Sequence, residues 1–338
     1  MSIALDATYS AGSQLTGVGV YCREILHGLT SAHPDQKFQW FYRPHRLLRS
    51  LETPVPRNCK RRLLLDGWPA RPKLFHGLNQ RLPKWRPPRS VTTFHDLFVM
   101  TGEYSSPEFR ERFTQQAHEA ARSSDMIITV SQFTAEQVHR LLHVGWDRLR
   151  VVHHGVKIPT SRHNEPPRER IVLHVGAIQA RKNIARLIEA FRILPKDWKL
   201  VLAGSTGYGA ERELSKADER VQITGFVNKH QLDNLYRRAS VFVFPSLDEG
   251  FGMPVLEAMA YQVPVIASNA SALPEVCGDA AILVDPLNTD QIAVELDRLV
   301  GEPQHAEKLR LRGLERARQF TWGTAVAKTW DVYCELGC

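Results

Sequence analysis

Short, almost continuously apolar runs alternate along this chain with longer stretches of helical period, and that alternation leaves few architectures open. Met126–Val130, Ile171–Val175 and Val241–Phe244 are rich in β-branched and aromatic residues and polar at one position at most. Such runs are strands buried on both faces, which is the environment of a parallel sheet. A first block predicts strands at Ile3–Ala7, Phe38–Phe41, Leu74–Phe75, Val91–Phe94, Met126–Val130 and Val151–His153, with helices near Tyr21–Thr30, Pro107–Arg122 and Thr134–Leu142. A second block predicts strands at Ile171–Val175, Lys199–Ala203, Val221–Thr224, Val241–Phe244, Val263–Ala267 and Ile282–Val284. Its helices fall near Ile184–Leu194, Lys229–Arg238, Pro254–Tyr261, Thr289–Val300 and Glu302–Phe320. Strand–helix alternation of this kind predicts α/β architecture, a parallel sheet covered by helices, once in each block. The polar, proline-bearing stretch 159–170 reads as a linker between a domain at 1–158 and a second at 171–321, and Trp322–Leu336 reads as a final helix.

A length of 338 residues suffices for two substantial cores, and a hydrophobic share of 43% is ordinary for a globular chain. No apolar stretch reaches the length a bilayer span requires. The opening Met1-Ser2-Ile3-Ala4-Leu5-Asp6 reads as a first strand and not as a signal peptide. Five scattered cysteines, Cys22, Cys59, Cys277, Cys334 and Cys338, form no C-x-x-C pair and have no zinc spacing, which points to a reduced, cytoplasmic protein. The net charge of +8 is concentrated between Arg43 and Arg89, where thirteen Lys and Arg face only Glu52 and Asp66. With Trp68, Trp85 and several prolines interleaved, this stretch is expected to form surface loops near an acceptor entrance. It could meet an anionic membrane, a lipid-phosphate-linked acceptor or an acidic glycan, or be a solvated basic face. A nucleic-acid partner is not expected, because no zinc spacing, RNA-binding aromatic motif or basic helix accompanies the charge.

The stretch Asp248-Glu249-Gly250-Phe251-Gly252-Met253-Pro254-Val255-Leu256-Glu257 carries the most chemistry. It follows the strand Val241–Phe244, so it is the loop at a strand's carboxyl end, and Pro254 suits the first turn of a helix. Gly250 and Gly252 let backbone approach an anion, and the free N–H groups of the helix start favour negative charge there. Backbone at Phe251 and Met253 belongs to the same candidate cradle. Glu257, about one turn inside the helix, can accept two hydrogen bonds from a ribose diol, while Glu249 stands on the loop nearer to what a phosphate would carry. The plainer alternative is an acid stabilising an ordinary helix N-terminus.

Other candidates also stand at carboxyl ends of predicted strands. Thr16-Gly17-Val18-Gly19 follows the first strand and precedes a helix expected from about Val20, so Gly17 and Gly19 offer unobstructed amides or simply form a turn. Arg181 and Lys182 follow Val175-Gly176-Ala177 and could stabilise charge growing on a pyrophosphate leaving group, although basic pairs are usually solvated surface. His95 and Asp96 follow Val91–Phe94. Gly204 and the loop at Gly225-Phe226-Val227 are read equally as turns or as donor contacts, and Ser131 as a helix cap.

Glu249 and Glu257, seven residues apart, resemble the paired-glutamate motif of retaining nucleotide-sugar glycosyltransferases of family four. Gly17-Val18-Gly19-Val20-Tyr21, His95-Asp96-Leu97, Arg181-Lys182-Asn183 and the block from Ser268 to Leu273-Pro274-Glu275-Val276 extend the resemblance over nearly the whole chain. The sequence departs from the family in carrying Gly176-Ala177 where Gly-Thr or Gly-Arg is usual. The resemblance implies the GT-B fold: two Rossmann-like domains facing across a cleft, with the final helix crossing back to the first. It implies catalytic roles for His95, Glu249, Arg181 and Lys182, and donor contacts through Gly17, Gly19, Gly204, Val227, Gly250, Phe251, Gly252, Met253 and Glu257. His95 would lie beside the donor sugar and Val227 near the nucleotide base. No cofactor is implied; the absence of a D-x-D triplet means that no metal is expected to hold the pyrophosphate. The expected partners are a nucleotide-sugar donor, GDP-mannose first with UDP-glucose open, and a glycan or lipid-linked acceptor. Transfer would retain configuration, the donor's own phosphate taking the acceptor proton. A nucleotide-sugar epimerase, a phosphorylase and a basic non-catalytic binder are the alternatives.

Overall fold

The computed structural model describes residues 2–68, 70–159 and 167–338, and most of the stretch read as a linker, 160–166, lies outside them. The chain divides into two compact units. One comprises Met1–Met100, Pro107–Gly155 and Thr321–Cys338, the other Thr101–Ser106 with Val156–Phe320.

In chain order the first unit contains β1 (Ser2–Asp6), α1 (Gly17–Ala32), β2 (Lys37–Tyr42), α2 (Pro44–Ser50), β3 (Cys59–Leu63), β4 (Leu74–Gly77) and β5 (Ser90–Phe94). It continues with α3 (Phe98–Thr101), whose last residue falls in the second unit, then α4 (Pro107–Ser123), β6 (Met126–Thr129), α5 (Gln132–Leu142) and β7 (Leu149–Val151). Among the described residues its seven strands form one parallel sheet in the order β3-β2-β1-β4-β5-β6-β7.

The second unit contains β8 (Glu169–Val175), α6 (Ile184–Phe191), β9 (Lys199–Ala203), α7 (Ala210–Leu214), β10 (Val221–Gly225), α8 (Lys229–Arg238) and β11 (Ala239–Phe244). After these come α9 (Met253–Ala260), β12 (Val265–Ser268), α10 (Leu273–Cys277), β13 (Ile282–Val284), α11 (Thr289–Gly301) and α12 (Pro303–Arg318). Its described strands are parallel in the order β10-β9-β8-β11-β12-β13. The chain ends with α13 (Trp322–Glu335), which belongs to the first unit.

Close packing explains how α13 docks on α1. Ala325, Val326, Val332 and Tyr333 share a buried cluster with Tyr21, Ile25 and Leu29. At Gly28 a Cβ would stand 2.3 Å from the Val326 Cγ2, so the two helices meet where α1 has no side chain. In the second unit, Val172, Leu200, Leu202, Val241, Val243 and Ile266 bury one face of the sheet against Leu187, Ile188 and Phe191 of α6 and Ile292, Leu296 and Leu299 of α11.

Several boundaries differ from the sequence expectation for local reasons. The helix expected from about Val20 begins at Gly17, with Thr16 as its N-cap and Val20 N–H bonding to Thr16 O at 2.9 Å. Gly17 and Gly19 are therefore first-turn residues of α1 and not a loop. β7 ends at Val151, short of the expected His153, because its pairing with β6 spans only Leu149 to Val151. β8 starts at Glu169, inside the stretch read as linker, where it pairs with Ala239 and its carboxylate meets Arg238. β12 starts at Val265 because Val263 N–H closes the preceding helix on Ala258 O. Ser131 caps α5 as expected, its Oγ accepting from Thr134 N–H at 3.0 Å.

Candidate functional site

Strand order reverses between β8 and β11, and open α/β sheets bind ligands beyond the carboxyl ends of strands at such a switch point. The loop after β8 carries Gly176, Arg181 and Lys182; the loop after β11 carries Asp248, Glu249 and the two glycines. Asn183 clasps these loops. It adopts a left-handed backbone (φ 59°) at the start of α6, and its Nδ2 donates to Pro245 O at 3.1 Å and Pro286 O at 2.6 Å. Leu247 N–H adds a bond to Arg181 O at 2.7 Å.

This clasp brings Glu249, Arg181 and Lys182 together. Glu249 Oε1 accepts from Arg181 Nη1 at 2.8 Å and from Lys182 Nζ, and Arg181 Nη1 also reaches Asp248 O at 2.9 Å. Lys182 is only 5% exposed, and its ammonium lies 4.4 Å from the centre of the Phe244 ring. Burial alone would raise the Glu249 pKa, but Arg181 and Lys182 more than offset it and hold the carboxyl down at about 2. The result is a preorganised anion between two cations in a poorly solvated place. Glu249 N–H bonds to Ser271 Oγ at 3.1 Å, and Ala272 N–H to Glu249 O at 3.3 Å. The Ser268–Val276 block thus supports the glutamate loop from beneath. Glu275, half-buried, accepts at its carbonyl from Arg316 Nη2 at 2.6 Å.

Gly252 has φ 99° and is the N-cap of α9; a Cβ there would lie 2.6 Å from Leu273, so backbone freedom and space both require glycine. Gly250 and Phe251 are buried, and the Phe251 ring packs edge-on against Phe320 at 5.9 Å. Phe251 therefore offers backbone and not its ring. Met253, half-buried, opens α9. On that helix Glu257 accepts from Tyr236 Oη at 2.9 Å, and burial raises its carboxyl pKa. Tyr236 thereby fixes the orientation of the carboxylate that the spacing assigned to a diol.

Gly204 serves close approach: a Cβ would stand 2.0 Å from Gly176 O, so the loops after β8 and β9 could not lie together with any larger residue. Val227 is half-buried in the loop after β10, ahead of Asn228, which forms a capping box with Gln231. Asp248, nearly buried, accepts from Thr101 Oγ1 at 2.6 Å, and burial raises its pKa.

In the first unit the order reverses between β1 and β4. Gly17 is exposed at the first residue of α1, while Gly19 is buried, its Cβ position 2.9 Å from Tyr9 O. His95, after β5, is 7% exposed. Its Nε2 lies 2.9 Å from Leu78 O, and because a carbonyl only accepts, Nε2 carries the proton and Nδ1 the lone pair. Burial lowers its pKa to about 4, against the opposing effect of that carbonyl. Tyr21 meets its ring edge-on at 4.7 Å, and His154 stacks on it at 5.6 Å. Beneath them Thr93 Oγ1 lies 2.9 Å from both Tyr21 Oη and His76 Nε2, and His76 Nδ1 lies 2.6 Å from Tyr333 Oη of α13.

The structure shows what the residue patterns did not assign: the clasp of Asn183, the support by Ser271, the anchoring of Glu257 by Tyr236 and the pairing of Asp248 with Thr101. Asn183 and the Ser268 block were visible as motifs, but their partners depend on which strands become neighbours. Trp85 is half-buried in the loop between β4 and β5, its ring packed edge-on against Phe75 at 5.5 Å beside a buried cluster, whereas Trp68 is exposed. Among the described residues no group of three His, Cys, Asp or Glu could hold a metal ion.

Residues 16–158 match the family described as Glycosyltransferase Family 4, and residues 159–316 the one described as Glycosyl transferases group 1. The O-antigen chain mannosyltransferase B of Escherichia coli is 32% identical over 77% of this chain and 74% of its own length. Among solved structures, a sucrose-phosphate synthase from Thermosynechococcus elongatus superposes with a TM-score of 0.79 at 22% identity, covering 99% of both chains. Anabaena HepE, solved in complex with UDP-glucose, superposes with a TM-score of 0.74 at 16% identity, covering 98% of this chain and 99% of that one. At these identities the two superpositions speak for the shared GT-B fold. Sequence and fold together lead to one assignment: the chain belongs to glycosyltransferase family 4 and is a hexosyltransferase.

Proposed function

We propose that this protein transfers mannose from GDP-mannose, with retention of configuration, to a glycan or lipid-linked acceptor in polysaccharide or glycoconjugate synthesis. The observation that carries the reading is the buried Arg181–Glu249–Lys182 cluster at the switch point of the second unit. Two fixed cations can take the charge that develops on the leaving diphosphate, a stabilisation that grows as the glycosidic bond breaks. A diphosphate also competes with Glu249 for these cations and so releases the carboxylate towards the sugar hydroxyls and the partly positive anomeric carbon. Glu257, oriented by Tyr236, takes the ribose diol. Backbone at Gly204, Gly250, Phe251, Gly252 and Met253 serves the donor and Val227 the base; in the first unit Gly17 and Gly19 offer backbone at the start of α1. The Nδ1 lone pair of His95 accepts from a sugar hydroxyl.

The mannosyl assignment draws on the mannosyltransferase relative, and the nucleotide remains the point to test, since the HepE structure holds UDP-glucose. The deciding experiment incubates the protein with GDP-mannose, UDP-glucose and UDP-galactose and follows thermal shift, slow hydrolysis and the anomeric configuration of the product. A ligand bound by the native state raises its apparent stability. GDP-mannose is expected to give the largest shift, an α-linked product and turnover that persists in EDTA. A larger response to a UDP-sugar, an inverted product or complete loss in EDTA would each overturn that part of the reading.

We assign the protein to the cytoplasm with peripheral membrane contact through Leu48, Leu51 and Trp68, all strongly exposed within the basic stretch Arg43–Arg89 of the sequence. No helix among the described residues is long and apolar enough to cross a membrane. Sedimentation with anionic but not neutral vesicles is the expected result, and failure with both removes the contact.

A further inference from the structure

Beneath the cation pair lies a histidine that the chemistry described so far does not use. His174 is on β8 and fully buried, stacked on Phe244 with ring centres 5.3 Å apart. Its Nδ1 lies 3.0 Å from Val243 O, so Nδ1 carries the proton and the lone pair is on Nε2. Among the described residues that Nε2 has no hydrogen-bond partner, an expensive condition for a buried acceptor.

Gly176 locates what Nε2 faces. This glycine has φ 151°, and the point where its Cβ would stand is 3.5 Å from Lys182 Nζ and 3.6 Å from His174 Nε2. The missing side chain leaves room in which the ammonium and the imidazole lone pair approach the same spot. Lys182 is thus held by an anion, Glu249, and an aromatic face, Phe244, while the His174 lone pair borders the same gap beside Gly176. A lysine has three donors, and two of its neighbours offer an oxygen and a nitrogen that can accept.

We propose that His174 is a positioning residue for Lys182: its Nε2 lone pair takes one ammonium hydrogen when the donor draws Glu249 towards the sugar, so that Lys182 stays charged and aimed at the diphosphate. The proposal rests on the donor-binding reading of this site. Burial and the nearby Lys182 lower the His174 pKa to about 3, against the opposing influence of Val243 O and Glu249, which keeps the ring neutral and the acceptor intact at physiological pH.

Two substitutions separate this role from a structural one. His174→Asn can keep a donor near Nδ1 for Val243 O but has nothing at the Nε2 position. His174→Gln can place an amide oxygen near Nε2 and loses the Val243 bond. His174→Phe fills the space without either group. Nitrogen-15 NMR of the full-length native chain, without donor, is expected to show His174 neutral and protonated at Nδ1; a proton on Nε2, or a charged ring, overturns the proposal whatever the protein's activity. Calorimetry with GDP and UDP, and steady-state turnover of whichever donor is accepted, then compare the variants. Loss of a hydrogen bond to a charged group corresponds to about 10- to 100-fold. The Asn and Phe variants are expected to lose that much in diphosphate affinity and kcat/KM, and the Gln variant to recover most of it. Equal losses in Asn and Gln, or rescue by Asn alone, would assign His174 to holding β11 and end the proposal. A native chain that binds neither diphosphate would instead refute the reading of the site itself, and this proposal with it.

Discussion

Glu249 shows how much one residue's role owes to its surroundings. Its place in the Asp248–Glu257 stretch marked it as a candidate, but its state, an anion pinned between Arg181 and Lys182, required the loops after β8 and β11 to meet. The two variants that remove parts of this cluster should therefore behave differently. Lys182→Ala leaves Arg181 to hold the carboxylate, so the fold survives while turnover falls on the order of 100-fold, the usual loss for one preorganised stabiliser of developing charge. Glu249→Ala leaves two buried cations without their anion and should destabilise the second unit by about 3–5 kcal/mol as well. Glu249→Gln keeps the shape and separates the chemistry from the folding. Urea unfolding and donor turnover measured on all three variants check this; near-native turnover in Lys182→Ala and Glu249→Gln would exclude the cluster from catalysis. The acid pairing also has a pH signature. Because the folded pKa of Glu249 lies below its unfolded value, its stabilisation is complete above about pH 4.5 and is lost as pH falls towards 2. The pattern of residue types was thus enough to nominate Glu249, Lys182, Arg181 and His95. It was silent on His174, whose acceptor lies 69 positions away on β11, and on the partners of Asn183, which lie 62 and 103 positions away in loops.

At the scale of elements, the strands most readable in the sequence were those with an apolar run buried on both faces, such as β6, the Ile171–Val175 part of β8 and the Val241–Phe244 part of β11. β3 escaped notice because Cys59–Leu63 carries Lys60, Arg61 and Arg62. It is an edge strand, so outward charges cost little and discourage pairing with another chain. Arg61 turns back instead, donating to Ser50 O at 2.8 Å. The short helices α2, α3, α7 and α10 were also missed, since segments of four to seven residues give too little periodicity to read. The start of α1 went unrecognised because Gly17 and Gly19 look like turn residues; Gly19 is instead glycine for its approach to Tyr9 O. The docking of α13 on α1 provides an element-scale prediction. Gly28→Val places a side chain where Val326 already stands, and overpacking of this kind costs about 1–3 kcal/mol. The expected outcome is a lower urea midpoint with faster proteolytic trimming of the C-terminal helix. A variant as resistant as the native chain would mean that α13 has slack the packing does not reveal.

Across the whole chain, the distribution of buried titratable groups makes the two units respond differently to acid. His76, His95 and His154 in the first unit, and His174 in the second, all have pKa values lowered chiefly by burial, to about 3 for His76 and His174 and about 4 for His95. A histidine whose folded pKa is depressed contributes stability that is present above its unfolded pKa of about 6.5 and is lost as pH falls, because the unfolded chain takes up the proton first. Each such group costs about 1.4 kcal/mol for every pH unit below that value until the folded pKa is reached. Carboxyls raised by burial act in the opposite sense: the folded state takes up their proton first, so falling pH relieves them. In the second unit Asp248 and Glu257 thus oppose His174, whereas among the described residues of the first unit Asp6 alone opposes the three fully buried histidines. Moving from pH 7.5 to 5.5 should therefore weaken the first unit more than the second, by several kcal/mol. Urea unfolding followed by Trp fluorescence is informative, because Trp40, Trp68, Trp85, Trp146, Trp322 and Trp330 belong to the first unit and Trp198 to the second. The fluorescence midpoint dominated by the first unit should move down steeply over this range, while single-tryptophan reporting from Trp198 should move little. Parallel shifts of both reporters, or a flat profile between pH 7.5 and 5.5, would contradict the burial of those three imidazoles as neutral groups.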